Sequence, residues 1–150
     1  MSGKLTPKLG YNLSIDAYWM QLSAANLGLA QARSSATGFA RASLNWQANA
    51  KDLLQLNLFS TAKRLLPQGY VAPGYSGSIG YRHVISSKAS LMVVADDPFH
   101  TQRSRYVSTI DGVLNRQLKV QASQSISLAF VWNFAGKPKE ADFDFGGGGR

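Results

Sequence analysis

The sequence predicts an all-β chain: an antiparallel up-and-down meander of about six long strands, forming part of a transmembrane β-barrel. Three observations carry this. Apolar residues make up 45% of the chain and charged residues only 16%, where a soluble domain carries about 25% charged residues. No apolar run approaches the roughly 18 residues of a membrane helix. Apolar and polar residues instead alternate with period two, as lipid-facing and lumen-facing positions do in a barrel wall. Finally, turn signals between the alternating stretches set registers in which apolar residues meet apolar partners.

Taken in order, residues 1–8 read as a leading turn or the end of a preceding strand, and residues 9–134 as barrel strands. The first full strand runs roughly from Tyr11 to Asn26. In it Tyr11, Leu13, Ile15, Ala17 and Trp19 alternate with Asn12, Ser14, Asp16 and Tyr18, and its other face turns apolar at Met20 and Leu22. Gly28–Thr37 reads as a polar link. A turn at Ala50-Lys51-Asp52 sets Ala48 opposite Leu54, Trp46 opposite Leu56 and Leu44 opposite Leu58. Pro67–Gly74 reads as a second link. Ser86-Ser87-Lys88 serves as a three-residue turn that pairs Ile85 with Ala89, Tyr81 with Val93 and Ile79 with Ala95.

Asp111-Gly112 signals a type I′ hairpin, whose two central residues need positive φ. Centred there, the register sets Ala89 against Phe134, Leu91 against Trp132, Val93 against Phe130 and Ala95 against Leu128. Leu114 to Phe134 then reads as one strand with its even positions on the apolar face. At about 3.3 Å per residue it would reach roughly 65 Å, beyond the hydrocarbon core of about 30 Å. Soluble strands are usually about 3–10 residues. Residues 135–150, with Gly146-Gly147-Gly148-Gly149, read as a disordered tail.

The turns near Thr6-Pro7, Ala50–Asp52 and Ser86–Lys88 fall on one side, with the end of the last strand. Short turns are periplasmic in this class and longer loops extracellular, so the links at Gly28–Thr37, Pro67–Gly74 and Asp111-Gly112 take the outer side.

Trp19, Trp46, Tyr81, Phe130, Trp132 and Phe134 sit mostly on the apolar face. They read as an interfacial aromatic girdle, with the core of a soluble β-sandwich as the plainer alternative. Asp16, Arg41, Lys63, Arg82 and Lys119 fall on the polar face as possible lumen charges. They could guide an anionic substrate; the plainer reading is that they solvate the lumen or pair with a plug. His83 and His100 lie on different strands and levels and do not form a metal site. Asp96 and Asp97 are neighbours on a strand, point to opposite faces and cannot address one substrate. No nucleophile elbow or phosphate loop is present. The chain reads as neither an enzyme nor a cofactor protein. It has no cysteine and a net charge of +8, without the clustered basic tract that would point to nucleic acid. The start, Met1-Ser2-Gly3-Lys4, lacks an apolar export region. An exported protein would need that signal upstream, unless the membrane reading fails.

Certain segments carry a family likeness. Ile126-Ser127-Leu128-Ala129-Phe130-Val131-Trp132-Asn133-Phe134 resembles the C-terminal assembly signal of outer-membrane barrels, with Trp132 and Phe134 as its terminal aromatics. Leu91-Met92-Val93-Val94-Ala95-Asp96-Asp97-Pro98-Phe99 resembles the penultimate strand of TonB-dependent receptors. Leu66-Pro67-Gln68-Gly69-Tyr70 and Gly80-Tyr81-Arg82-His83 look like the outer membrane protein β-barrel branch of that family. The likeness covers about Leu9 to Lys137. It implies a bacterial outer-membrane location and a C-terminal segment of a barrel of about 22 strands with a plugged lumen. It also implies contact with outer-membrane lipid and the barrel-assembly machinery. An energy-coupling protein would be met only through a plug domain that this segment lacks. About six strands cannot close a barrel, since the smallest have about eight. Two other readings compete. One is a short protomer of an oligomeric barrel, which requires complementary first and last strands. The other is a soluble β-sandwich binding module, with strands broken near Pro98-Phe99 and Ser123-Gln124.

Overall fold

The computed structural model describes residues 1–24, 29–110, 112–120 and 123–134. These residues form strands and turns, with no helix. The first strands are β1 (Ser2–Thr6), β2 (Leu9–Ala24), β3 (Leu29–Gln47) and β4 (Asp52–Thr61). They are followed by β5 (Arg64–Leu66), β6 (Gly69–Val71), β7 (Gly74–Val84) and β8 (Ala89–Asp96). The last are β9 (Arg103–Ile110), β10 (Val113–Val120) and β11 (Ser125–Trp132). The main sheet has seven strands in the order β1-β2-β3-β4-β7-β8-β11, and a smaller sheet has the order β10-β9-β6-β5. Every pairing is antiparallel.

The two sheets are lower and upper parts of the same tall hairpins. β4 runs on through residues 62–63 into β5, and β6 returns through 72–73 into β7. The register does not change across that joint: Thr61 pairs with Gly74 and Arg64 with Val71. β8 likewise continues into β9, and β10 into β11. Counted this way the chain makes a meander of long strands, as the alternation predicts, plus the short leading strand β1. The tail 135–150, Asp111 and residues 25–28 fall outside the described residues, so the reading of a disordered tail does too.

Several registers differ from the sequence expectation. The Ser86–Lys88 turn pairs Tyr81 with Val93 and Ile79 with Ala95, as expected. The turn before β4 is centred one residue earlier than expected, so Trp46 pairs with Leu54 and Leu44 with Leu56. The cause is Asn49. Its Oδ1 accepts the backbone N–H of Lys51 at 2.8 Å and of Asp52 at 3.1 Å, a side-chain turn that fixes where the chain reverses. Residues 29–37, read as part of a link, are strand: β3 begins at Leu29 and pairs with β2, with one register shift between Leu22 and Ala24. Half of Pro67–Gly74 is likewise strand, Gly69–Val71 and Gly74, with Pro67-Gln68 as the turn between β5 and β6.

The largest correction concerns the last hairpin. Its upper part keeps the register of the Asp111-Gly112 turn, with Leu114 opposite Thr109 and Val120 opposite Arg103. Gly112 has φ +78°, as that turn requires. Below, however, Trp132 pairs with Ala89, Phe130 with Leu91 and Leu128 with Val93. The expected partners are displaced by two. The predicted continuous strand from Leu114 to Phe134 is divided into β10 and β11: six positions separate the end of β8 from the start of β9, and four separate the end of β10 from the start of β11, two fewer. That difference is the register shift. An even shift keeps each side chain on its face, so the apolar pairing survives in the lower part.

Against the β7–β6 strand, residues 97–105 span what residues 77–72 span, three residues more. Asp97 N–H bonds Gly77 at one end and Ala72 N–H bonds Arg105 at the other. An odd excess reverses the faces. Val107 therefore shares a face with Tyr70 and Leu65. By pairing, so do Arg103, Arg105, Leu114, Arg116, Leu118 and Val120.

The strand breaks are those a β-sandwich would show, but the sheets do not enclose a core. Leu65, Ala89 and Val94 are the buried apolar residues among those described, while Ile126 is 81% exposed.

Candidate functional site

One face of the main sheet is apolar from edge to edge. Rows of paired residues such as Tyr11, Leu44, Leu56, Ile79, Ala95 and Ile126 run across it. Burying such a face in hydrocarbon is favourable by roughly 25 cal/mol per Å². Aromatic side chains stand on it at two levels. Near the turns are Tyr11, Trp46, Tyr81, Phe130 and Trp132, with Phe134 just past β11. Eight residues along β2 from Tyr11 is Trp19, 68% exposed, and six along β7 from Tyr81 is Tyr75. At about 3.3 Å per residue the levels are roughly 20–26 Å apart along the strands, close to the apolar band of about 25 Å in outer-membrane barrels. The Phe130 and Trp132 rings lie 6.2 Å apart.

At the turn end, His83 Nδ1 and the Tyr81 hydroxyl both meet Asp52 Oδ1, each at 2.6 Å. Asn49 also donates to Asp52. Sequence reading sets His83 on a different strand and level from His100 and does not give it this partner. The signal is the register that sets Asp52 opposite His83. Among the described residues no group of three or more His, Asp or Glu side chains could hold a metal.

The opposite, polar face carries Asp16, Arg41 and Arg82. Arg41 lies over the Phe39 ring at 5.2 Å and the Phe59 ring at 5.3 Å, both on that same face. Lys63 follows the same face upward and lies 4.4 Å from the centre of the Tyr70 ring. Lys119 does not join them. It pairs with Ser104, and the face reversal puts it on the other side of the small sheet.

The joint between the sheets is built on Asp97. Asp97 and His100 have φ of +44° and +53°, a region that Asp and His enter more readily than most residues. The Asp97 side chain is buried. Its Oδ1 accepts Thr101 N–H at 2.6 Å and Thr101 Oγ1–H at 2.7 Å, and its Oδ2 accepts Gln102 N–H at 3.0 Å and the Ser123 hydroxyl. One carboxylate thus ties the β8–β9 break to the β10–β11 break. Burial pushes the Asp97 carboxyl up, but the hydrogen bonds from Ser123, Gln102 and Thr101 outweigh it and hold the group well below the usual carboxylate range. Sequence reading finds Asp97 only as a neighbour of Asp96. The Asp-Pro pair is the one local sign that the strand ends there.

An antiparallel sheet, apolar on one whole face and polar on the other, with aromatic levels at both ends, defines a β-barrel wall of the bacterial outer membrane. The chain belongs to the outer membrane protein beta-barrel family, whose model matches residues 1–132. No curated protein and no solved structure matches it.

Proposed function

We propose that this chain supplies the C-terminal wall strands of a TonB-dependent outer-membrane receptor for nutrient uptake. It does so without catalysis and without a cofactor of its own. The observation that carries the reading is the open sheet: among the described residues β1 and β11 each have one unpaired edge. In hydrocarbon an unpaired strand edge costs several kcal/mol per backbone group, so other strands must cover both. The aromatic levels would act as girdles toward lipid, and Trp132 and Phe134 as the signal met by the assembly machinery. Asp16, Arg41, Lys63 and Arg82 would line the lumen. The energy coupler would act through a plug domain rather than through these strands.

The direction of the strands disfavours a ring of short protomers. In a seven-stranded meander the first and last strands run the same way. Joining β11 of one copy to β1 of the next would make a parallel seam, whereas bacterial barrels are antiparallel throughout.

Co-purification from outer membranes tests the proposal. A chain tagged within residues 135–150 is expected in one barrel that resists unheated SDS, contains a plug domain and binds the periplasmic domain of the energy coupler. A barrel made only of copies of this chain, or one without a plug, contradicts it.

A further inference from the structure

We infer that the small upper sheet presents a binding surface for an anionic small molecule with an apolar part, on the face that carries Tyr70. Strands β5, β6, β9 and β10 contain Arg64, Arg103, Arg105, Arg116 and Lys119 and no acidic residue. Register sorts these cations unequally. Arg103, Arg105 and Arg116 share the Tyr70 face, and Lys63 reaches it over the Tyr70 ring. Arg64 pairs with Val71 and Lys119 with Ser104, so both lie on the reverse face.

Arg105 and Arg116 are diagonal neighbours, because Arg105 faces Leu118 and Arg116 faces Val107. Such diagonals lie about 7–8 Å apart, and Arg103 is two residues further along the strand. Among the described residues no carboxylate pairs with any of these three. Guanidinium forks suit carboxylate and phosphate oxygens, which they grip in pairs. The positions between them are Leu114, Leu118 and Val120, all about half exposed. Cationic forks interleaved with aliphatic side chains match a ligand that is neither a bare inorganic ion nor a neutral hydrocarbon. This inference does not depend on energy-coupled uptake; it needs only the sheet and its face reversal.

The probe is 1-naphthyl phosphate, titrated calorimetrically into the full chain purified from outer membranes into lipid nanodiscs, with empty nanodiscs subtracted. Saturable binding is expected, weaker at 200 mM than at 50 mM salt (roughly a 7 Å against a 14 Å screening length). The triple variant Arg103→Gln/Arg105→Gln/Arg116→Gln should lose at least about tenfold in affinity, equivalent to about 1.4 kcal/mol. The reverse-face variant Arg64→Gln/Lys119→Gln should change it less than twofold. All three arginines are exposed, and retained heat-modifiable gel mobility will show that each variant folds. Absence of saturable binding overturns the inference. So does an equal loss in the reverse-face variant, which would mean diffuse charge rather than a surface.

Discussion

Asp97 illustrates how much one side chain can organise where a strand must stop. Its carboxylate satisfies two backbone N–H groups and two hydroxyls that the broken ladder would otherwise leave unpaired. Hydrogen bonds to a charged group contribute about 1.5–3 kcal/mol each, and orphaned donors cost a similar amount. Asp97→Ala is therefore expected to lower the local opening free energy at Thr101 and Gln102 by about 3 kcal/mol, read as faster amide exchange there with the main sheet unchanged. The pH dependence has a definite sign. The folded carboxyl titrates below its ordinary value of 3.8, so its stabilisation is complete above that pH and is lost as pH falls below it. Protection at Thr101 and Gln102 should hold from neutral pH down to about 4 and drop only in stronger acid. Asn49 acts on a smaller scale. It decides which residue is the centre of a turn, and so whether Trp46 meets Leu54 or Leu56.

At the level of strands, alternation is a reliable guide to faces and a poor guide to position along them. The Ser86–Lys88 turn is legible because three small or polar residues separate two clean alternations. The turn at Asn49 and the break at Asp97 are not legible in this way. Each shifts a register by two, which leaves every apolar pairing chemically plausible and so invisible to pattern. The reversal of faces above Asp97 is hidden for another reason. Leu114, Leu118 and Val120 continue the alternation of Ile126, Leu128 and Phe130 in sequence, while in space they take the other side. The change has a physical logic. Beyond the bilayer the outer side of a barrel meets water, so Ser104, Gln117 and Lys119 turn outward and the aliphatic residues turn in. Within the bilayer the assignment can be tested by charge. Leu128→Arg should destabilise the barrel by about 2–4 kcal/mol, and Ser127→Arg, on the polar face, by less than about 1 kcal/mol. Denaturant titration of protein in lipid vesicles measures both.

At the scale of the whole molecule, the described residues form sheets that enclose no core. Its apolar residues are as exposed as a membrane allows, and its aromatics mark two levels on one face. Those features were readable in the composition and the alternation. The charges of the polar face were less so: Asp16, Arg41 and Arg82 share that face as expected, but Arg103, Arg105 and Arg116 join that side only through the three-residue excess near Pro98-Phe99. The account's central claim is that this seven-stranded sheet is one section of a larger antiparallel barrel. The most direct measurement is a cryo-electron microscopy structure of the protein extracted from outer membranes, reading which strand lies on the free edge of β11. The account predicts an antiparallel strand formed by residues other than 1–134, within a closed barrel of even strand number. Direct pairing of β11 with β1, from the same or another copy, would contradict it.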